Sequence, residues 1–302
     1  MLATIEFIEK KVNKYCIIIP YFGKWPSYFN LYLRSCDNVS NIDIHFVTDL
    51  ETPTDVPSNV FFHKKTFLSL KSAFEEKLGF DIALEKPFKL CDFRPAYGYL
   101  FEEIVKDYGF WGWGDIDLLY GNIYRFIEED LMDADVISMR EKWLSGSFAL
   151  LKNSKVINQA FLSSPDYKKI FSDHNSYAFD ECGPNWLVMR KAESFLDLKL
   201  ENDSMTMILR RLERDGLAKL SFKNRIKEFI AKGDFVRWGL ERVEDGKGKE
   251  YAYYHFISEK RYYYFQYPNW KSAPSQIFIN RTGFYPVTQI KFQTIIKLLE
   301  EK

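Results

Sequence analysis

The chain has 302 residues, 46% of them hydrophobic and 18% aromatic, with 42 basic and 42 acidic side chains and a formal net charge of zero. That length supports one large α/β domain with an elaboration as well as a two-domain split, and the missing basic excess argues against a general nucleic-acid binder. Four widely spaced cysteines with no C-x-x-C pair indicate neither a zinc site nor a disulfide framework, so a reducing cytoplasm is the simpler expectation.

The N-terminal MLATIEFIEKKVNKY lacks a continuous apolar stretch and is not read as a signal peptide. YCIIIPYF (15–22) is a β-branched run closed by Pro20, the pattern of a buried parallel strand. WPSYFNLYLRSC (25–36) has helical spacing at Phe29, Leu33 and Cys36. IDIHFVTDL (42–50) reads as a second strand with Asp49 at its end, and NVFFHKKT (59–66) as a third. Phe67, Leu70, Phe74 and Leu78 form a helical stripe, Pro95 begins another helix through about Lys106, and FWGWGDID is the next strand. A helix over 123–132 and strands at ADVISMR (134–140) and SGSFALLKN (145–153) follow. Strand–helix alternation predicts a mostly parallel sheet covered on both faces, in which ligands bind beyond the carboxyl ends of the strands. Asp49, the Asp115/Asp117 pair and the Pro20–Gly23 turn fall at such ends. From about Gly233 the pattern changes: EDGKGKE (244–250) reads as a polar loop, followed by the tyrosine-dense YAYYHF and RYYYFQYPNW. We read 1–232 as the main domain and 233–302 as a C-terminal region packed on it and contributing to the active site. No run approaches the roughly 18 apolar residues that span a bilayer. The expected location is the cytoplasm, with at most a peripheral contact at the inner face of a membrane.

Residues 108–123, YGFWGWGDIDLLYGNI, place two acids directly after an aromatic run. Charged side chains are almost never fully buried unless paired or bound to a cation. Asp115 and Asp117 therefore either end a strand in water or share something positive. Residues i and i+2 of an extended segment point the same way, so the two carboxylates can converge on one hard cation. Oxygen ligands of this kind suit Mg²⁺ or Mn²⁺, which keep open positions for substrate phosphates. Gly112, Gly114 and Gly121 are expected to permit close approach of a bulky ligand. A dehalogenase-type phosphatase needs D-x-D-x-[TV], and Leu119 at the last position argues against it.

The D-x-D after an aromatic strand, the K-x-x-D of KLCDFRPAYGYLF (89–101) and the early IIIPYFGKWP together resemble a bacterial GT-A-fold glycosyltransferase. More narrowly, KPFKLCDFRPAYGYLF, WGWGDIDLLYGNI, SGSFALLKN and FDECG resemble a polysaccharide-biosynthesis-type family, over roughly residues 14–265. The resemblance implies a GT-A-like (Rossmann-like) mostly parallel sheet flanked by helices, with a C-terminal tyrosine-rich extension. It implies that Asp115 serves the donor's ribose or the metal and that Asp117 ligates the metal, Mn²⁺ or Mg²⁺. Pro20, Tyr21 and Phe22 would line the base pocket with Asp49 near it, and Lys89 and Asp92 would contact the nucleoside–sugar part. Gly146 and Ser147 would face the sugar, and Asp180 or Glu181 would deprotonate the acceptor hydroxyl.

Of the four histidines, His45, His63 and His174 read as structural. The resemblance implies that His255 in YYHF joins the metal shell, with Lys260 or Arg261 nearby as the candidate to hold diphosphate oxygens. The implied partners are a nucleotide-sugar donor, most simply a UDP-hexose, and a glycan or lipid-linked glycan acceptor. The rival readings are a metal-dependent nucleotidyltransferase, for which PYFGKWP supplies only one glycine and one lysine of a phosphate loop, and a non-catalytic glycan-binding module.

Overall fold

The computed structural model describes residues 15–192, 195–198, 200–267, 270 and 272–287. The ends of the two expected domains, 1–14 and 288–302, and Pro268 and Asn269 of the tyrosine-rich run, lie outside the described residues. In chain order the strands are β1 (Tyr15–Pro20), β2 (Ile42–Thr48), β3 (Val60–Lys64), β4 (Phe110–Gly114), β5 (Leu118–Tyr120), β6 (Val136–Ser138), β7 (Phe148–Lys152) and β8 (Leu220–Phe222). They continue with β9 (Ile226–Lys227), β10 (Val236–Gly239), β11 (Arg242–Asp245), β12 (Glu250–Tyr251), β13 (Tyr253–His255), β14 (Gln276–Asn280) and β15 (Gly283–Pro286).

Seven strands form the main sheet in the order β3-β2-β1-β4-β7-β6-β8. Its pairings are parallel except those of β7, which runs antiparallel to both β4 and β6. The β-branched run of β1 is buried on both faces because alternate residues serve different cores. Cys16 and Ile18 pack with Leu70 and Phe74 of the helix Phe67–Leu78. Ile17 and Ile19 pack with Phe29, Tyr32 and Leu33 of the helix Phe29–Cys36. Thr66 caps the first of these helices through the Ser69 N–H, and Gly79 ends it in the left-handed region.

Two expected helices are broken. The segment after Pro95 folds as the short turns Arg94–Ala96, Tyr97–Leu100 and Glu102–Val105, where Gly98 fits so closely under the Trp111 ring that a methyl group there would lie 2.3 Å from it. The segment expected over 123–132 divides into Tyr124–Ile127 and Asp130–Asp133, and Asp130 is drawn into ion pairs with Lys223 and Arg225. In both places tertiary contacts outweigh helix propensity.

A five-stranded antiparallel sheet, β12-β11-β10-β14-β15, occupies the later part of the chain. Between it and the main sheet lies a three-stranded ribbon, β5-β13-β9. There β13 pairs antiparallel with β5, setting Tyr253 opposite Tyr120 and His255 opposite Leu118. This ribbon delivers a late residue to the end of β4. No helix among the described residues is long and apolar enough to cross a membrane.

Candidate active site

Strand β4 stops at Gly114, and Asp115 and Asp117 occupy the link to β5. The link is held at both ends: the Asp115 N–H donates to the Ser147 carbonyl (2.9 Å), and the Asp117 carbonyl accepts from Phe256 N–H (3.2 Å). The second bond extends the β5–β13 register by one step, and it draws His255 to the two acids. Ligand atoms of Asp115, Asp117 and His255 all lie within 4.8 Å of one another. His255 Nε2 is 3.4 Å from Asp117 Oδ1 and 3.7 Å from Asp115 Oδ2. These distances exceed an ordinary N–H···O bond, and the buried Nε2 has no hydrogen-bond partner.

The opposite ring nitrogen, Nδ1, lies 2.9 Å from Glu228 Oε1, and Glu228 is itself paired with Arg140. A carboxylate behind an imidazole fixes the ring and its tautomer, the arrangement that supports metal-ligating histidines. Two carboxylates and one imidazole form a donor set that could hold a divalent metal ion. The orphaned Nε2 facing both acids is the observation that makes the fit. Burial would lower the His255 imidazole, but the nearby Asp117 carboxylate, the hydrogen bond to Glu228 and the charge of Asp115 outweigh it and raise the group to about 10. Burial would raise the Asp117 carboxyl, but His255 and Lys260 overcome it and hold the group well below the usual carboxylate range. The two acids are balanced by cationic groups, Asp115 by Arg94 and Asp117 by Lys260 and His255, so a metal ion bound here would displace the His255 proton.

Asp115 and Asp117 stand at the floor of a cleft of about 410 Å³ that Pro20, Tyr21, Phe22, Phe88 and Lys260 also line. Tyr21 stacks on Trp25 (centroids 5.1 Å apart), and Trp25 on Phe29 (4.0 Å), so one wall is a braced aromatic face. Lys260 reaches the cleft while ion-paired with Asp117.

Arg94 joins the acids that the sequence had left separate. Its guanidinium donates to Asp115 Oδ1 (2.5 Å), Asp180 Oδ2 (2.9 Å) and the Gly146 carbonyl (2.6 Å). Gly146 in turn donates its N–H to Glu181 Oε1 (2.9 Å). Burial, reinforced by Glu181, lifts Asp180 to about 8 against the pull of Arg94. Burial also raises Glu181, opposed by the Gly146 N–H. Asp180 is buried and lines neither the cleft nor the cavity that Glu181 borders.

Other expected residues stand elsewhere. Lys89 and Asp92 do not reach the cleft: they are 4% and 0% exposed and paired at 2.9 Å. The Lys89 ammonium also donates to the carbonyls of Ile170 and Asn175, and Asp92 accepts from the Tyr177 and Phe179 N–H groups. Their polar atoms are spent fastening the segment that carries Asp180, not turned to a nucleoside. Asp49 is exposed just past β2 and does not line the cleft. Ser147 is buried, bonded to the Tyr253 hydroxyl (2.8 Å) and to Ser145 (3.1 Å), and ties β7 to β13. The glycines of the opening motif also serve packing. A methyl group on Gly112 would meet the Ala149 carbonyl of β7 at 1.9 Å, and one on Gly121 the Ala252 carbonyl at 3.2 Å. Gly114 does border the cleft, yet a methyl there would meet the Tyr120 hydroxyl at 2.9 Å.

Arg94 and Glu228 were not singled out from sequence. Arg94 carried a signal, a lone charge inside the apolar run FRPAYGYLF. Glu228, in RIKEF, carried none.

Residues 17–288 match a family of unknown function, DUF6625, and the chain belongs to that family. No curated protein matches the sequence. Among solved structures, the glycosyltransferase GlyE of Streptococcus pneumoniae TIGR4 aligns at 12% identity over 72% of this chain and 67% of that one, with a TM-score of 0.28. A likeness that slight carries no argument.

Proposed function

We propose that this member of the DUF6625 family is a metal-dependent glycosyltransferase. It would move a hexose from a nucleotide-diphosphate sugar, a UDP-sugar in the simplest case, to a hydroxyl of a glycan acceptor in bacterial surface-polysaccharide synthesis, with inversion. The observation that carries the reading is the convergence of the buried His255 Nε2, which has no hydrogen-bond partner, on Asp115 and Asp117, two acids that line an aromatic-walled cleft.

In this reading the face made by Tyr21, Phe22 and Phe88 holds the nucleobase. Asp115, Asp117 and His255 would hold a divalent cation, which would supply charge stabilisation for the diphosphate leaving group. Lys260 supplies a further positive charge at the cleft. The acceptor oxygen bonds to the anomeric carbon as the bond from that carbon to the diphosphate oxygen breaks. The bonding pair leaves with the nucleoside diphosphate, and the hydroxyl proton passes to the Glu181 carboxylate. Glu181 is preferred to Asp180 because it borders an open cavity, while Asp180 is occupied with Arg94. A carboxylate raised by burial is also the better general base.

The test is to incubate purified protein with a panel of nucleotide sugars, with and without Mn²⁺, and to follow nucleotide release. Mn²⁺ binding is measured separately from the free-ion paramagnetic signal. Release is expected only with metal, and Asp117→Ala should lower both it and Mn²⁺ binding by about 100-fold or more. Metal-independent turnover, or full turnover in Asp117→Ala, overturns the proposal. Pyrophosphate release from nucleoside triphosphates would point to a nucleotidyltransferase, and metal-free sugar binding without turnover to a glycan-binding module.

A further inference from the structure

A second cavity, of about 740 Å³, shares no lining residue with the cleft that holds Asp115 and Asp117. Two of its walls are nevertheless linked to those acids through intervening residues. On one side Arg140 pairs with Glu228, whose other oxygen meets His255 Nδ1 at 2.9 Å. On the other side Glu181 accepts the Gly146 N–H, the Gly146 carbonyl accepts from Arg94, and Arg94 pairs with Asp115. Hydrogen-bonded chains on both sides therefore link the two compartments through the Asp115–Asp117–His255 group, one compartment lined by Asp115 and Asp117 and the other by Glu181.

The chemistry of this second cavity differs from that of the first. Two indoles, Trp143 and Trp186, stand in its lining, and Trp186 is 49% exposed. A large aromatic face left open to water beside polar groups suits the apolar face of a pyranose ring. The Arg140 guanidinium lies 5.4 Å from the Trp143 ring centre, and its buried Nε has no hydrogen-bond partner. Arg190 and Lys142 add positive charge, and among the described residues neither is ion-paired with a carboxylate. Lys142 donates instead to the carbonyls of Arg190 (2.7 Å) and Ala192 (3.3 Å). The acids in the lining are Glu141, which is exposed, and Glu181, which Gly146 holds. Stacking faces beside cationic groups that no carboxylate among the described residues neutralises recognise a sugar that carries negative charge.

We infer that this cavity is the acceptor subsite and that it takes a pyranose bearing an anionic group, either the carboxylate of an acidic sugar or the phosphate of a glycosyl phosphate. The inference rests on the glycosyl-transfer reading above for the word acceptor, but the binding chemistry stands without it. Trp186 and Trp143 stack on the ring, Arg190 and the partly exposed Arg140 guanidinium receive the anion, and Glu181 faces the hydroxyl to be glycosylated.

Binding is measured directly, with no donor and no metal, so a failed turnover assay leaves the outcome readable. Methyl β-glucuronide, α-glucose 1-phosphate and neutral methyl β-glucoside are titrated against the full chain by ligand-observed NMR, up to millimolar concentrations. At least one anionic probe is expected to bind about 10-fold more tightly than the neutral one, a difference of about 1.4 kcal/mol, and the probe that does so identifies the source of the anion. Arg190→Gln should reduce that advantage to about 3-fold or less, and Trp186→Ala should weaken every probe by about 5-fold or more. Phe88→Ala, on the rim of the other cleft, should leave all three unchanged while weakening UDP. Equal binding of neutral and anionic probes, absence of binding by all three, or losses in Phe88→Ala matching those in Trp186→Ala overturn the inference. Both substituted side chains in the cavity are exposed, so the variants retain the fold.

Discussion

Gly146→Ala provides a sharp test of the base assignment, because the structure fixes what the added methyl group would meet. An ideal Cβ at Gly146 lies 2.7 Å from Glu181 Oε1 and 2.9 Å from its Cδ and Cγ. Gly146 has no left-handed backbone angle, so alanine brings no conformational strain of its own. To reach ordinary van der Waals contact the Glu181 carboxylate must retreat by about 0.7 Å, and its bond to the Gly146 N–H is lengthened or lost. Because the clash is with a side chain and not with backbone, the folding cost should stay near about 1 kcal/mol. A displacement of this order at a proton-accepting oxygen costs on the order of 100-fold in rate, about 2.7 kcal/mol in the barrier. The assay is initial-rate nucleotide release at saturating donor with Mn²⁺, alongside urea unfolding. The expected result is a kcat lowered by about 100-fold with donor KM within about 2-fold, since the donor cleft is untouched. In a Glu181→Gln background the same glycine replacement should add little, because the displaced group has already lost its role. Wild-type kcat in Gly146→Ala, or losses that multiply in the double variant, would refute the assignment of Glu181.

Three further outcomes follow from contacts around the site. Lys89→Met leaves Asp92 buried without its cation and should cost about 3 kcal/mol in urea unfolding, with donor KM of the folded fraction unchanged; a raised KM at unchanged stability would restore a nucleoside-contacting role. Arg94→Lys keeps the charge but loses the planar fork that reaches Asp115, Asp180 and Gly146 together, so kcat should fall by about 10-fold or more, and full activity would show that a point charge suffices. Burial, reinforced by His63, lowers His45 to about 4 from an ordinary 6.5, so the unfolded chain takes up this proton first as pH falls. Stability from His45 is therefore complete above pH 6.5 and is lost between about pH 6.5 and 4, by up to about 3 kcal/mol. His45→Gln should flatten that part of the stability curve, and an unchanged slope would refute the cause.

The strands around β1, β2 and β4, the helix Phe67–Leu78 and the position of Asp115 and Asp117 beyond a strand end were all legible in the amino-acid order. β-Branched runs, three-to-four spacing and capping residues act within a few positions and so announce local structure directly. The pair of acids two residues apart belongs to this kind of information, whereas the expectation for His255 rests on the family resemblance and on no local pattern. What joined them was the pairing of β13 with β5, a register no local pattern specifies. The same holds for Lys260 and Asp117, which lie 143 positions apart. Arg94, Glu228 and the separation of Glu181 from its neighbour Asp180 also emerged only in three dimensions, because each depends on which groups packing leaves buried, bonded or open. Lys89 and Asp92 make the point from the other side. Their spacing suggested a ligand contact, yet only the surrounding carbonyl and N–H groups, brought in from residues 170–179, decided that the pair would be spent on the fold.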